Sequence, residues 1–435
     1  MDRVRLAIRR ISRDVPGRDR LAAPGADFAP DGVPWIKFGD EVVYCGAGDD
    51  WSRLTASADR AGVALRAHPD PIERERLHVV SQKGRLFQRE HPDVPVLVDK
   101  GRYLLVELDP ARARELNDTD VPCFSVRALD ALAPAGPEGQ NRVVFESHGR
   151  AAADVQRAAD PAVQAILSRI SRQTFEPDLT RLVQFPTRFS TSSHYTTACD
   201  FVEQALAALG YATSRPRIVV RGAPSHNVTA QRNGSGSAPR DLVLVTAHLD
   251  SINEEGTAAS RAPGADDDGS GSAGVLEIAR AIKDQPSAND VQFVLFGGEE
   301  QGLFGSKQFV ASMTAADRAR VRAVVHMDMI ACLNADSPAV LLEGAALSQA
   351  VIEGLKAAAG TYTQLEVQTS TQPERSDHVS FIEKGVPAVL TIEGTDGANH
   401  AIHTERDNLE RINFELALDI LRMNTAFVAD ALARA

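Results

Sequence analysis

Two histidines and a series of carboxylates recur through the C-terminal half of this sequence, each just after an apolar, β-branched run. They are His248 and Asp250 in TAHLDS, Asp266 to Asp268 in PGADDDGSG, Glu299 and Glu300 in FGGEEQG, Asp328 in HMDM and His403 in AIHTERD. Carboxylates gathered within a few ångströms repel one another, and some stay protonated unless cations compensate them. Imidazole mixed with carboxylate suits zinc, whereas carboxylates and carbonyls alone would favour calcium or magnesium. GADDDGSG lacks the alternating spacing and the twelfth-position glutamate of an EF-hand.

Each motif also has a plain structural reading. HLD could be an ordinary polar loop, and GADDDGSG a solvated acidic turn capping a helix. The glutamate pair could belong to a helix surface, although it follows a buried strand and two glycines. Asp328 interrupts VVHMDMIA, where a lone buried carboxylate is costly unless paired or metal-bound. Residue chemistry does not choose between His400 and His403, and His326 and His378 read as structural.

The elements that must carry these residues alternate regularly. Strands are expected at 241–247, 291–296, 322–327 and 387–392, and helices near 271–284, 302–313, 347–359 and 413–433. This is an α/β pattern, a mostly parallel mixed sheet covered by helices on both faces. Ligands of such sheets bind beyond the carboxyl ends of the strands, where these motifs fall.

Upstream, strand-like runs (EVVYC, LHVV, VPVLV, YLLVEL, CFSV) alternate with the helical candidates WSRLTASADRAG and PARARELN, giving a smaller α/β domain. A further strand-like run, RVVFES, and one helical run over 160–172 lead into the larger domain. The boundary is placed near 155, with domains 1–155 and 156–435. Residues 1 to about 30 read as a flexible arm or short amphipathic helix.

At 435 residues with a formal net charge of −12, the chain is long enough for two to three domains and lacks the basic balance of a nucleic-acid partner. No apolar stretch approaches the ~20 residues that span a bilayer. The N-terminal MDRVRLAIRRISRD has no apolar signal core, so a cytoplasmic location is expected for the sequence as written. Four cysteines, Cys45, Cys123, Cys199 and Cys332, show no metal spacing. Cys45 and Cys123 could pair, with reduced buried thiols the favoured state.

Taken in order, HLDS, PGADDDGSG, GEE, MDM, SDH and IHT resemble the co-catalytic di-zinc aminopeptidases of the bacterial leucyl aminopeptidase type, metallopeptidase family 28. The similarity runs over roughly 176–430 and includes LVQFPTRFSTSS and HNVTAQRNG. The resemblance implies a zinc exopeptidase fold, two zinc ions and a peptide substrate. Asp267 would bridge the ions, with His248 and Asp328 completing one site and Glu300 and His403 the other. Glu299 would be the general base and Asp250 the support of His248. A non-proline cis peptide between Asp267 and Asp268 is also implied, as is secretion in many relatives.

One departure stands out. The loop TSTQPERSDH has neither the cysteine nor the tyrosine that secreted bacterial relatives carry there, so oxyanion stabilisation must come from the zincs or another donor. Arg375 in this loop could meet a substrate carboxylate, favouring carboxypeptidase or dipeptidase behaviour, or it could simply face solvent. Family 20 deacylases share the ligand types but insert a domain before the last histidine, and only 74 residues separate Asp328 from His403. A glutaminyl cyclase or a non-catalytic receptor-like protein on the same fold are the remaining alternatives. The first domain could shield the site, restrict substrate size or bind a partner.

Overall fold

Runs such as Leu242–His248 and Val321–Met327 are β-branched and apolar on both faces, which suits central strands sandwiched between helix layers. A computed structural model bears this out; it describes residues 3–11, 29–117, 124–132, 142–149 and 158–433. The chain divides into two compact units, Met1–Ser147 with Ser370–Gln372, and His148–Thr369 with Pro373–Ala435. The junction expected near 155 lies outside the described residues.

In the larger unit the central strand Leu242–His248 pairs in parallel with Asp290–Phe296 on one side and with Val321–Met327 on the other. Val321–Met327 in turn pairs in parallel with Ala388–Glu393. Antiparallel strands flank this core, Val228–Arg232 at one end and Ala339–Glu343 at the other. The result is a parallel centre within a mixed sheet.

Side-chain alternation divides the packing between two cores. Val243, Val245, Phe293, Leu295, Val325 and Met327 pack among helices Arg172–Val183, Ser193–Ala208, Gly271–Ile282 and Phe414–Ala433. Leu244, Val294, Phe296 and Val324 face the opposite layer with Val310 and Phe381. Each such aliphatic side chain contributes about 1.5–3 kcal/mol relative to exposure. This double cover holds the strand ends, and the loops that leave them, in fixed relation.

The single helix expected over 160–172 is instead two. Pro161–Leu167 begins on the Asp160 cap, and a new helix, Arg172–Val183, starts where the Ser171 hydroxyl accepts the Gln173 N–H. A capping serine inside an otherwise periodic run ends one helix and opens the next.

The smaller unit holds the sheet strands Arg3–Arg10, Trp35–Phe38 and Glu41–Gly46, and a four-stranded sheet built on Leu77–Gln82 and Tyr103–Glu107. Its helices include Asp49–Ala61 and Pro110–Asn117. Of the N-terminal stretch expected as an arm or short helix, residues 12–28 lie outside the described residues, and the part before them differs from expectation. Arg3–Arg10 is a strand that pairs antiparallel with Glu41–Gly46 and buries Val4, Leu6, Ala7 and Ile8. Its alternating apolar residues, interrupted by arginines, fit a half-buried strand better than a disordered segment. Cys45, Cys199 and Cys332 are buried thiols; Cys123 lies outside the described residues. Among the described residues no helix is long and apolar enough to cross a membrane.

Candidate metal centre

His248 is the last residue of the central strand, and Asp328 follows directly on its neighbour Val321–Met327. Glu299 and Glu300 lie three and four residues beyond the strand Asp290–Phe296 on the other side. Asp267 comes from the connection between the central strand and helix Gly271–Ile282, and His403 from the loop after Ala388–Glu393. Four neighbouring strand ends thereby converge on one point.

The geometry is paired. His248 Nε2 lies 3.1 Å from Asp267 Oδ1 and 3.5 Å from Asp328 Oδ1. His403 Nε2 lies 3.2 Å from Asp267 Oδ2 and 3.0 Å from Glu300 Oε2. One carboxylate thus faces an imidazole with each of its oxygens. Ligand atoms of His248, Asp267 and Glu300 fall within 4.8 Å of one another, as do those of His248, Glu299 and Asp328. The exposed His400 stands apart from this cluster.

All of these side chains are buried, and His248, Asp250 and Asp328 are fully so. Burial pushes the Glu300 carboxyl up, only partly offset by His403. For His248 burial alone would favour the neutral ring, but the carboxylates of Glu299, Asp250, Asp267 and Asp328 drive its pKa well above the usual imidazole value. His248 Nε2 and Glu300 Oε1 are buried without a hydrogen-bond partner. Buried polar atoms without partners are costly, and a cation among them removes that cost. The donor set of two imidazole nitrogens and several carboxylate oxygens fits zinc.

Behind the converging atoms, the acidic loop is held by its own neighbours. Asp407 accepts the backbone N–H groups of Asp266 and Asp267, at 2.9 and 3.0 Å. Asp268 accepts from His248 N, Gly271 N and Met329 N, so it caps the following helix and ties two strand ends together. Burial raises the Asp268 and Asp407 carboxyls well above their ordinary value. The peptide between Asp267 and Asp268 is cis. Gly264, at φ 50°, is required where it stands, because a Cβ would lie 2.4 Å from Asp267 O and 2.6 Å from Ser251 Cβ.

Arg188 is buried completely beneath this loop. Its guanidinium donates to the carbonyls of Leu249, Leu182, Pro263 and Gly264. It therefore joins the turn after His248 to the turn before Asp267. Burial lowers its pKa, opposed by the carboxylates of Asp407, Asp268, Asp250 and Asp267.

Asp250 differs from expectation in detail. His248 Nδ1 is 3.2 Å from the Asp250 backbone carbonyl and 3.7 Å from its carboxylate. The carboxylate oxygens instead accept the backbone N–H groups of Glu299 and Glu300, at 3.2 and 3.3 Å. Two further side chains inside the SDH and HTERD motifs support the cluster. Ser376, in SDH, donates to Asp328 Oδ2 at 2.6 Å and contacts His326 Nε2 at 2.8 Å, so His326 is linked to the site. Asp407, in HTERD, holds the Asp266–Asp267 backbone and has no marker in residue type or spacing. Arg375, with a side chain 27% exposed, lies 3.9 Å from Glu374 and is neither fully solvated nor enclosed.

With this geometry established, comparison with known proteins places it. The profile of peptidase family M28 matches residues 227–428. Leucine aminopeptidase 1 of Arthroderma otae is 27% identical over 293 residues, covering 63% of this chain and 77% of that protein. Among solved structures, the Legionella pneumophila aminopeptidase LapA superposes with a TM-score of 0.57 at 19% identity, covering 82% of this chain and 99% of LapA. BSAP, a zinc aminopeptidase from Bacillus subtilis, superposes at 0.52 with 17% identity, covering 62% and 95%. The paired arrangement of acids and imidazoles and the mixed sheet that carries it fall within the same stretch, so residues 227–428 are similar to peptidase family M28 in sequence and to zinc aminopeptidases in fold.

Proposed function

We propose that the chain is a zinc-dependent aminopeptidase that removes N-terminal residues from peptides, with two zinc ions sharing Asp267. The observation that carries this reading is the placement of His248 and His403 against opposite oxygens of that carboxylate. His248, Asp328 and Asp267 would hold one ion, and Glu300, His403 and Asp267 the other. Zinc in such a site supplies Lewis-acid polarisation of the scissile carbonyl and acidifies the attacking water.

The protein's own groups do the rest. Glu299 takes the proton of the attacking water at its carboxylate and delivers it to the leaving amine. Its position, within 4.8 Å of ligand atoms on His248 and Asp328, supports that role. Asp250 fixes the Glu299–Glu300 turn by its two backbone bonds. Burial of the whole cluster excludes bulk water and strengthens each electrostatic contact.

The names of the similar proteins support the amino-terminal direction. The test is chelation, zinc restoration and assay on leucyl-p-nitroanilide beside an N-acetylated counterpart and a C-terminally amidated peptide. Zinc-restored cleavage of free-amine substrates, amidated or not, is expected. Cleavage that requires a free C-terminus, or that ignores acetylation, would overturn the direction.

A further inference from the structure

His403 differs from the other imidazole in how it is supported. His248 ends a buried strand, but His403 sits in a loop with φ 55°, a left-handed conformation uncommon for a non-glycine residue. No sheet register orients its ring, so neighbouring groups must. Its Nε2 faces Asp267 and Glu300, while Nδ1 lies 3.1 Å from Glu254 Oε1.

Glu254 is doubly engaged with this histidine. Its backbone N–H donates to the His403 carbonyl at 2.9 Å, so the two residues meet through both main chain and side chain. The next residue, Glu255, accepts both guanidinium nitrogens of Arg406, at 3.0 and 2.7 Å. Asn253 closes the base of the same loop by donating to Arg261 O at 2.7 Å and accepting from Glu255 N at 2.9 Å. The segment after HLDS is thereby strapped to the loop that carries His403.

We infer that Glu254 is a positioning residue for His403, accepting its Nδ1–H and so presenting the Nε2 lone pair to the ion that Glu300 and Asp267 would share. This rests on His403 being a zinc ligand. A carboxylate on the remote nitrogen fixes ring tautomer and orientation and makes the imidazole a stronger donor. The Glu254 side chain is 26% exposed, so solvent screens part of its charge and the geometric effect dominates. Residue type alone does not mark Glu254 for this role, since it stands beside Glu255 in a polar stretch, SINEEGT.

The test is zinc affinity, measured on the full chain by competition with a chromophoric chelator, for E254A, E254Q and R406A. A cobalt-substituted absorption spectrum reports ligand geometry alongside. E254A is expected to weaken one zinc about 10–100-fold, to leave the other within about 3-fold, and to alter the cobalt spectrum. E254Q, which keeps an acceptor oxygen, is expected to recover most of that affinity. R406A, which cuts only the outer strap, is expected to leave both affinities within about 3-fold. Wild-type affinity in E254A, equal weakening of both ions, or E254Q as weak as E254A would overturn the inference. A wild-type chain that binds fewer than two zincs would instead overturn the proposed function beneath it.

Discussion

The Asp250 carboxylate accepts the backbone N–H of Glu299 at 3.2 Å and, through its other oxygen, that of Glu300 at 3.3 Å. A residue two positions beyond His248 therefore sets where the glutamate pair stands. Asp250→Ala removes both bonds from a fully buried position and leaves two buried N–H groups without acceptors. A fall in kcat of about 10–100-fold is expected, with at least one zinc retained. Steady-state kinetics with metal analysis checks this, and unchanged kcat would remove Asp250 from the account.

Glu299→Gln preserves shape and burial but cannot take a proton. Turnover is expected to fall by at least about 10²–10⁴-fold while zinc content stays at the wild-type value. Appreciable residual activity would contradict the general-base role.

Ser376 links His326 to Asp328 by bonds of 2.8 and 2.6 Å. Ser376→Ala would leave one Asp328 oxygen without this donor and loosen its aim. Zinc affinity is expected to drop about 10-fold at one site, measured by chelator competition. A variant indistinguishable from wild type would make the link incidental.

At the opposite end of the glutamate-bearing strand, Asp290 accepts from Arg240 Nε, Arg320 and Gly234 N. Burial alone would raise this carboxyl, but these donors outweigh it and hold it below the usual carboxylate range. A depressed folded-state pKa means the stabilisation is present above the unfolded value of about 3.9 and disappears as pH falls through the lower folded value. Asp290→Asn is expected to cost about 1–2 kcal/mol at pH 7, with the difference from wild type shrinking below about pH 4. Chemical denaturation at both pH values measures it; a pH-independent difference would contradict the assignment.

Much of the larger unit could be read from the sequence because its strands are continuous apolar runs and its helices keep a clear period. Strand Val321–Met327 and helix Phe414–Ala433 fall within a residue of where the pattern puts them. The strand Arg3–Arg10 escaped because its arginines mask a two-residue alternation that only pairing with Glu41–Gly46 makes plain. In the site, the acids and imidazoles announced themselves by type and by position after strands. Their supports did not: Arg188 acts through carbonyls, Asp407 through backbone N–H groups and Glu254 across a loop. Such bonds depend on chain path rather than residue spacing, and a one-dimensional pattern carries no trace of them.

If two zinc ions share Asp267, as proposed above, both depend on its carboxylate. Zinc per chain, measured by plasma mass spectrometry after equilibration and gel filtration, tests it on wild type and Asp267→Ala together. Two ions in wild type and the loss of both from the variant are the expected result. A single ion in wild type, or a variant that keeps two, would contradict it.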